Sequence, residues 1–259
     1  MGSTYYTRLD DTHFWPTPHV GGAWRADEQH FAPVAGLITH ALDQHAAGTG
    51  LQIGRLAFEI LGVIPAQPSE VVVETLRPGR TISLLEATMT VSDRPVVRAR
   101  AWLLSRQDTA AVAGGDPEPM PPPEQLPVWD GPGTWPGGFI ASLDIRRSAD
   151  AAPGRAQAWI STAVDLLEDE PVGALAQYVG LIDTANGIAV RQHPGDWMFP
   201  NLDLTVHLHR QPVGGPVGLD TTVVFGPDGV GLTSTVLHDA HGSVGRSEQV
   251  LTVRPLGAR

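Results

Sequence analysis

The chain has 259 residues, 42% of them hydrophobic and 17% charged, enough apolar content for one large core or two modest ones and no signature of disorder. With 17 basic against 28 acidic residues its formal charge is -11, which argues against a surface that condenses onto nucleic-acid phosphate. Every one of those basic residues is Arg, so a Schiff-base, Walker or general-base lysine is excluded; the absence of Cys excludes thiol nucleophiles, thiolate metal sites and disulfides. No stretch approaches the length of an apolar membrane span. Residues 1–14 carry Arg8, Asp10 and Asp11 where a secretion signal needs an apolar run, so the cytoplasm is the expected compartment.

In chain order, the first periodic segment is PVAGLITHALDQHAA over 33–47, and it predicts a helix. Val34, Leu37, Ile38, Ala41 and Leu42 fall on one stripe, and Pro33 takes the first-turn position that proline favours. Four segments rich in β-branched and apolar residues follow at 53–61, 70–76, 81–91 and 96–104 and predict strands. The run from Gly114 to Pro123 then carries five prolines, with Pro127, Pro132 and Pro136 after it, which neither a helix nor a central strand can accommodate. A linker in polyproline-like conformation is expected there, dividing the chain into an N-terminal domain over 1–106, a linker over 107–136 and a C-terminal domain over 137–259. Beyond it, strand candidates at 139–145 and 156–164 precede a second helix over 171–191, where Leu175, Tyr178, Val179, Ile182 and Ala185 share a face. The acidic run Glu168-Asp169-Glu170 stands before it, as a helix N-terminus prefers. Strands recur at 201–209, 217–225, 231–237 and 244–253. This repeated order predicts an α+β fold in which a curled antiparallel sheet wraps one long helix, made twice.

The strand at 201–209 alternates strictly: Leu202, Leu204, Val206 and Leu208 share one face, and Asp203, Thr205, His207 and His209 the other. Aligning the halves through Pro65 and Pro212 sets Asp203 opposite Ala57, and aligning the last strands sets Gln249 opposite Ala101. The two halves keep the same apolar core, but only the second carries the polar pair. One active site, in the second half, is the expectation.

The residues Phe14-Trp15-Pro16-Thr17-Pro18-His19, Val63-Ile64-Pro65 and Leu76-Arg77-Pro78-Gly79-Arg80 in the first half carry a resemblance, as do Phe199-Pro200-Asn201-Leu202-Asp203-Leu204, Leu237-His238-Asp239 and Gly245-Arg246-Ser247-Glu248-Gln249 in the second. In their order and spacing the chain resembles the double-hotdog acyl-CoA thioesterases, acyl-CoA thioesterase II and its actinobacterial thioesterase-like branch. The resemblance implies a double hotdog that hydrolyses acyl-CoA to free acid and CoA without a metal or organic cofactor. It also implies a catalytic water held by Asp203 on the first strand after the second helix, by Gln249 and by a hydroxyl residue, for which Thr222 is the nearest candidate. Where the family commonly has a Gly-Gly lead-in to the first helix, this chain reads His30-Phe31-Ala32-Pro33. Pro33 has no N–H, so neighbouring amides, those of Ala32, Val34 or Ala35, are the candidates for the thioester oxygen. His30, Asn186 and His207 complete the candidate substrate-binding set.

Other readings stay open on the sequence. His207 and His209 with Asp203 are chemically suitable metal ligands, although no further ligand is evident at matching spacing, and a wet sheet face is the better account. A hotdog dehydratase would want a carboxylate with a catalytic His, for which His30 or His207 would serve. A non-catalytic acyl-CoA binder is the third reading. Asp183 and Asn186, amid apolar helix residues, either hydrogen-bond across the domain interface near Asp203 or cover an exposed side. Trp129, Trp135 and Trp197 either lid the acyl chain or pack the linker down. Acyl-CoA is the expected partner, with no nucleic acid and no membrane; a homo-oligomer is compatible with the sequence.

Overall fold

The structure, a computed structural model, describes residues 3–257. The first half runs β1 (Thr4–Arg8), β2 (His13–Pro16), α1 (Phe31–Ala46), β3 (Leu51–Ile60), β4 (Ser69–Arg77), β5 (Ile82–Val91) and β6 (Arg94–Ser105). The second runs α2 (Gly138–Ala141), β7 (Leu143–Arg147), β8 (Arg155–Thr162), β9 (Asp165–Leu167), α3 (Ala174–Ile182), α4 (Ala185–Ile188) and β10 (Trp197–Met198), then β11 (Asp203–Leu208), β12 (Val217–Phe225), β13 (Val230–Asp239), β14 (Gly242–Thr252) and β15 (Arg254–Pro255).

The α+β class and the wrapping of sheet around helix are as expected, but two separately curled sheets are not what forms. One thirteen-stranded sheet runs β7-β8-β12-β13-β14-β11-β3-β6-β5-β4-β2-β1-β9. The halves join where β3 and β11 pair antiparallel, Leu204 against Phe58 and Val206 against Leu56. Those four side chains are all buried, so each half closes the other's free edge with core residues. At the far end β9, from the second half, pairs parallel with β1. Three residues are too short a run for a periodicity to betray that strand. The acidic run beside it does not open the second helix: Glu170 takes a bidentate ion pair from Arg8 at 2.7 and 2.8 Å and meets His40 of α1 at 2.7 Å, tying the halves together.

The ladders recur between halves. Ala57 pairs with Arg100 and Arg100 with Glu86; Thr205 pairs with Glu248 and Glu248 with Ser234. Thr205, not Asp203, is therefore the counterpart of Ala57, because aligning through loop prolines ignores residues that loops gain or lose freely. The pair Leu85 and Ala101 recurs as Thr233 and Gln249, so Ala101 does stand opposite Gln249.

Helix α1 is buried all round from Phe31 to His40 rather than along one stripe, because the sheet covers one side and α3 the other. The two helices meet at glycines. A Cβ on Gly36 would lie 3.0 Å from Gly180 Cα and 3.1 Å from Ala176 O, so only Gly lets the backbones touch there. The second helix is shorter than the 171–191 expected: α3 has nine residues, stops at Asp183 and Thr184, and resumes as the four-residue α4. At the break Thr184 turns its hydroxyl back onto Leu181 O at 2.7 Å, a local bond that competes with the helix.

Candidate active site

The helix break positions the candidate site. Asp183, the C-cap of α3, is 5% exposed, and its Oδ1 accepts from Gln249 Nε2 of β14 and from Asn201 Nδ2 before β11, each at 2.7 Å. Asn201 Nδ2 also donates to Asp203 O at 3.0 Å, which holds the amide in place. The second oxygen, Oδ2, faces His30 Nδ1 at 3.6 Å. His30 is the N-cap of α1 and its Nδ1 accepts from Ala32 N at 3.1 Å, so the ring's proton lies on Nε2.

Burial raises the Asp183 pKa to about 7, with the two amide donors pulling it back towards the usual carboxylate range. The same burial lowers the His30 pKa to about 3, so the ring is neutral and brings no positive charge to its neighbour. Gln249 is 1% exposed and its Oε1 has no hydrogen-bond partner among the described residues, an unsatisfied acceptor beside a carboxylate.

Asp183 stands where two cavities meet. One is an open crevice of about 480 Å³ whose walls include Gln29, Phe31, Ile64, Asn201, Leu202 and Arg254. The other is a chamber of about 40 Å³ walled chiefly by Trp24, Trp129, Trp135, Ile140, Ile145 and Ile188. Ala23, Trp24, His30, Asp183 and Asn186 border both. A separate cavity of about 220 Å³ under α3, beside Tyr5, Thr162 and Gln177, reaches neither Asp183 nor Gln249. At the helix crossing the first half carries no carboxyl at the equivalent place: Thr39 follows Gly36 as Asp183 follows Gly180, and its hydroxyl bonds Ala35 O within the helix.

Of the residues singled out from the sequence, Gln249, His30 and Asn186 come together here, while Asp203, Thr222, His207, Ala32 and Val34 do not. Asp203 lies on the opposite face of the sheet from Gln249, since Leu204 and Val206 of its strand point inward. Its Oδ1 accepts the Val250 N–H at 2.6 Å and so pins β11 to β14. Thr222 is exposed on β12, its hydroxyl 3.5 Å from Ser234 O, because its neighbour Thr221 takes the inward place. His207 lines a surface groove against the linker, where His209 Nε2 meets Asp116 Oδ1 at 3.0 Å. No group of three or more His, Asp or Glu able to hold a metal occurs among the described residues. The Ala32 N–H is taken by His30, and Val34 is buried away from both cavities. Sequence reading missed Asn201 and left Asp183 undecided. The available signal was a lone acid in an otherwise apolar helix, followed by Thr184 and Asn186, which favour a break.

No helix among the described residues is long and apolar enough to cross a membrane. A search of the curated proteins found no match. Among solved structures, a hot dog fold protein of unknown function from Alicyclobacillus acidocaldarius superposes with a TM-score of 0.75 at 15% identity, covering 95% of both chains. An acyl-CoA thioesterase II from Mycobacterium marinum superposes with a TM-score of 0.71 at 18% identity, covering 97% of this chain and 96% of that one. Residues 20–104 match the acyl-CoA thioesterase N-terminal domain and residues 123–253 the acyl-CoA thioesterase C-terminal domain. With both domains present in order, the chain belongs to the acyl-CoA thioesterase family and is a thioester hydrolase.

Proposed function

We propose that the protein hydrolyses acyl-CoA to free acid and CoA at the junction of the two cavities, with Asp183 rather than Asp203 as the general base. The observation that carries this reading is a buried carboxyl bordering an open crevice, with its pKa lifted to about 7 and one oxygen fixed by Gln249 and Asn201. Such a carboxylate is half ionised near neutral pH, where a base combines availability with proton affinity. Asp183 takes a proton from water, whose other hydrogen is accepted by Gln249 Oε1. The hydroxide adds to the thioester carbon, the C–S bond breaks as the tetrahedral adduct collapses, and the proton on Asp183 passes to the leaving thiolate.

For the carbonyl oxygen, Pro33 offers no N–H and that of Ala32 is occupied, which leaves the Phe31 amide at the positive end of α1. Neutral His30 helps by excluding water and by supplying no charge that would ionise Asp183 too early. The test is release of CoA from acyl-CoA with a thiol reagent, which the Cys-free chain leaves undisturbed. The kcat/KM profile should rise with pH through an apparent pKa near 7. A profile flat from pH 5 to 9, or conversion of 3-hydroxyacyl-CoA to enoyl-CoA without CoA release, would remove Asp183 from this role.

A further inference from the structure

The chamber beside Asp183 differs in kind from the crevice. The crevice has Arg254 among its walls together with Arg25, itself paired with Asp27, which suits an anionic nucleotide-bearing group. The chamber is about a twelfth as large, and its far walls are aromatic and branched aliphatic side chains. Its tryptophans form a fixed floor rather than a lid. Trp135 is 5% exposed, donates from Nε1 to Gly187 O at 3.0 Å, and packs edge-on to Trp24 with ring centroids 5.1 Å apart. Trp129 is anchored through its backbone N–H to Ile145 O at 2.8 Å, and the Arg147 guanidinium lies 5.1 Å from its ring. A thioester carbon held at Asp183 has CoA on one side and the acyl chain on the other, and the chamber is too small for CoA, so CoA takes the crevice.

Resting on the hydrolase reading above, we propose that the tryptophan-walled chamber is the acyl site, and that Trp129 and Trp135 restrict the protein to short acyl groups. With about 40 Å³ against the crevice's 480 Å³, the chamber accommodates only the first few carbons of an acyl chain, up to about butanoyl. Within that length each methylene buried should tighten binding about fourfold; beyond it, further carbons meet the tryptophan floor and gain nothing.

The test uses S-alkyl-CoA thioethers, which cannot be hydrolysed, with ethyl, propyl, butyl, hexyl, octyl and dodecyl chains, titrated calorimetrically against the intact protein with free CoA as reference. Affinity should climb to about the butyl compound and then level or fall. Trp129→Ala, at a half-buried position, should move that break to hexyl or longer while leaving the affinity for free CoA unchanged. Ile145→Ala opens the same chamber from β7 and serves if the tryptophan variant does not fold. Affinity that keeps rising through octyl and dodecyl in the unaltered protein would overturn the proposal, as would a break that neither variant moves. A break at butyl in a protein that hydrolyses no acyl-CoA would leave the chamber assigned and remove only the hydrolytic mechanism. Failure of every thioether to bind more tightly than CoA would overturn the acyl site itself.

Discussion

Replacing Asp183 by Asn tests the site without using its chemistry. The side chain keeps its shape, Oδ1 can still accept from Gln249 and Asn201, and the new Nδ2–H faces the His30 nitrogen where Oδ2 stood. A carboxyl whose pKa is about 7 when folded and near 3.8 when unfolded is protonated in the folded protein over a range where the unfolded chain has already lost the proton. Stability held below pH 4 is therefore lost as pH rises towards 7. At about 1.4 kcal/mol per unit, the three units amount to about 4 kcal/mol. Asp183→Asn is free of that loss, so its stability relative to the unaltered protein should grow by about 4 kcal/mol between pH 4 and pH 8. For a chain of this size that is a melting-temperature gap widening by about 10 °C. Thermal or urea unfolding of the two proteins at matched pH values measures it directly, and every other titrating group cancels in the difference. A gap that does not change with pH would refute the claim that Asp183 is buried with a raised pKa.

The amides around the carboxyl should act on the same quantity. Both hydrogen bonds hold the Asp183 pKa down, so Gln249→Ala or Asn201→Ala should each move the rising limb of kcat/KM upward by about one pH unit. Combined with Asp183→Asn, Gln249→Ala should cost far less turnover than it does alone, since both act on one water. At the helix crossing, Gly36→Ala places a methyl against Gly180 and Ala176 backbone atoms and should destabilise by about 1–3 kcal/mol, read as a lowered urea midpoint with unchanged slope.

Much of the fold was legible in the sequence because it rests on repetition. A helical segment followed by four strands recurs in order in each half, and the ladder registers that match Ala101 with Gln249 follow from that order. The continuous sheet was not legible, because the pairing of β3 with β11 is a contact between halves and leaves no local pattern. For the site, alternation along residues 201–209 set Leu204 and Val206 inward as expected but not Leu202, which is exposed before the strand begins, and the Asp it highlighted faces outward with Thr205 and His207. Asp183 was harder to see because its setting depends on α3 ending early and on Asn201 and Gln249, distant in sequence, meeting its carboxyl. Periodicity describes a helix face well; it carries no information on which distant side chains bond the residue at the helix end.

The most direct test of the whole account compares Asp183→Asn with Asp203→Asn under saturating butanoyl-CoA at pH 8, scoring CoA release per folded molecule. Asp203→Asn keeps the acceptor that holds the Val250 N–H and should retain turnover within about threefold, whereas Asp183→Asn should lose at least about a hundredfold. The opposite result, turnover surviving Asp183→Asn and collapsing with Asp203→Asn, would contradict the site as placed here.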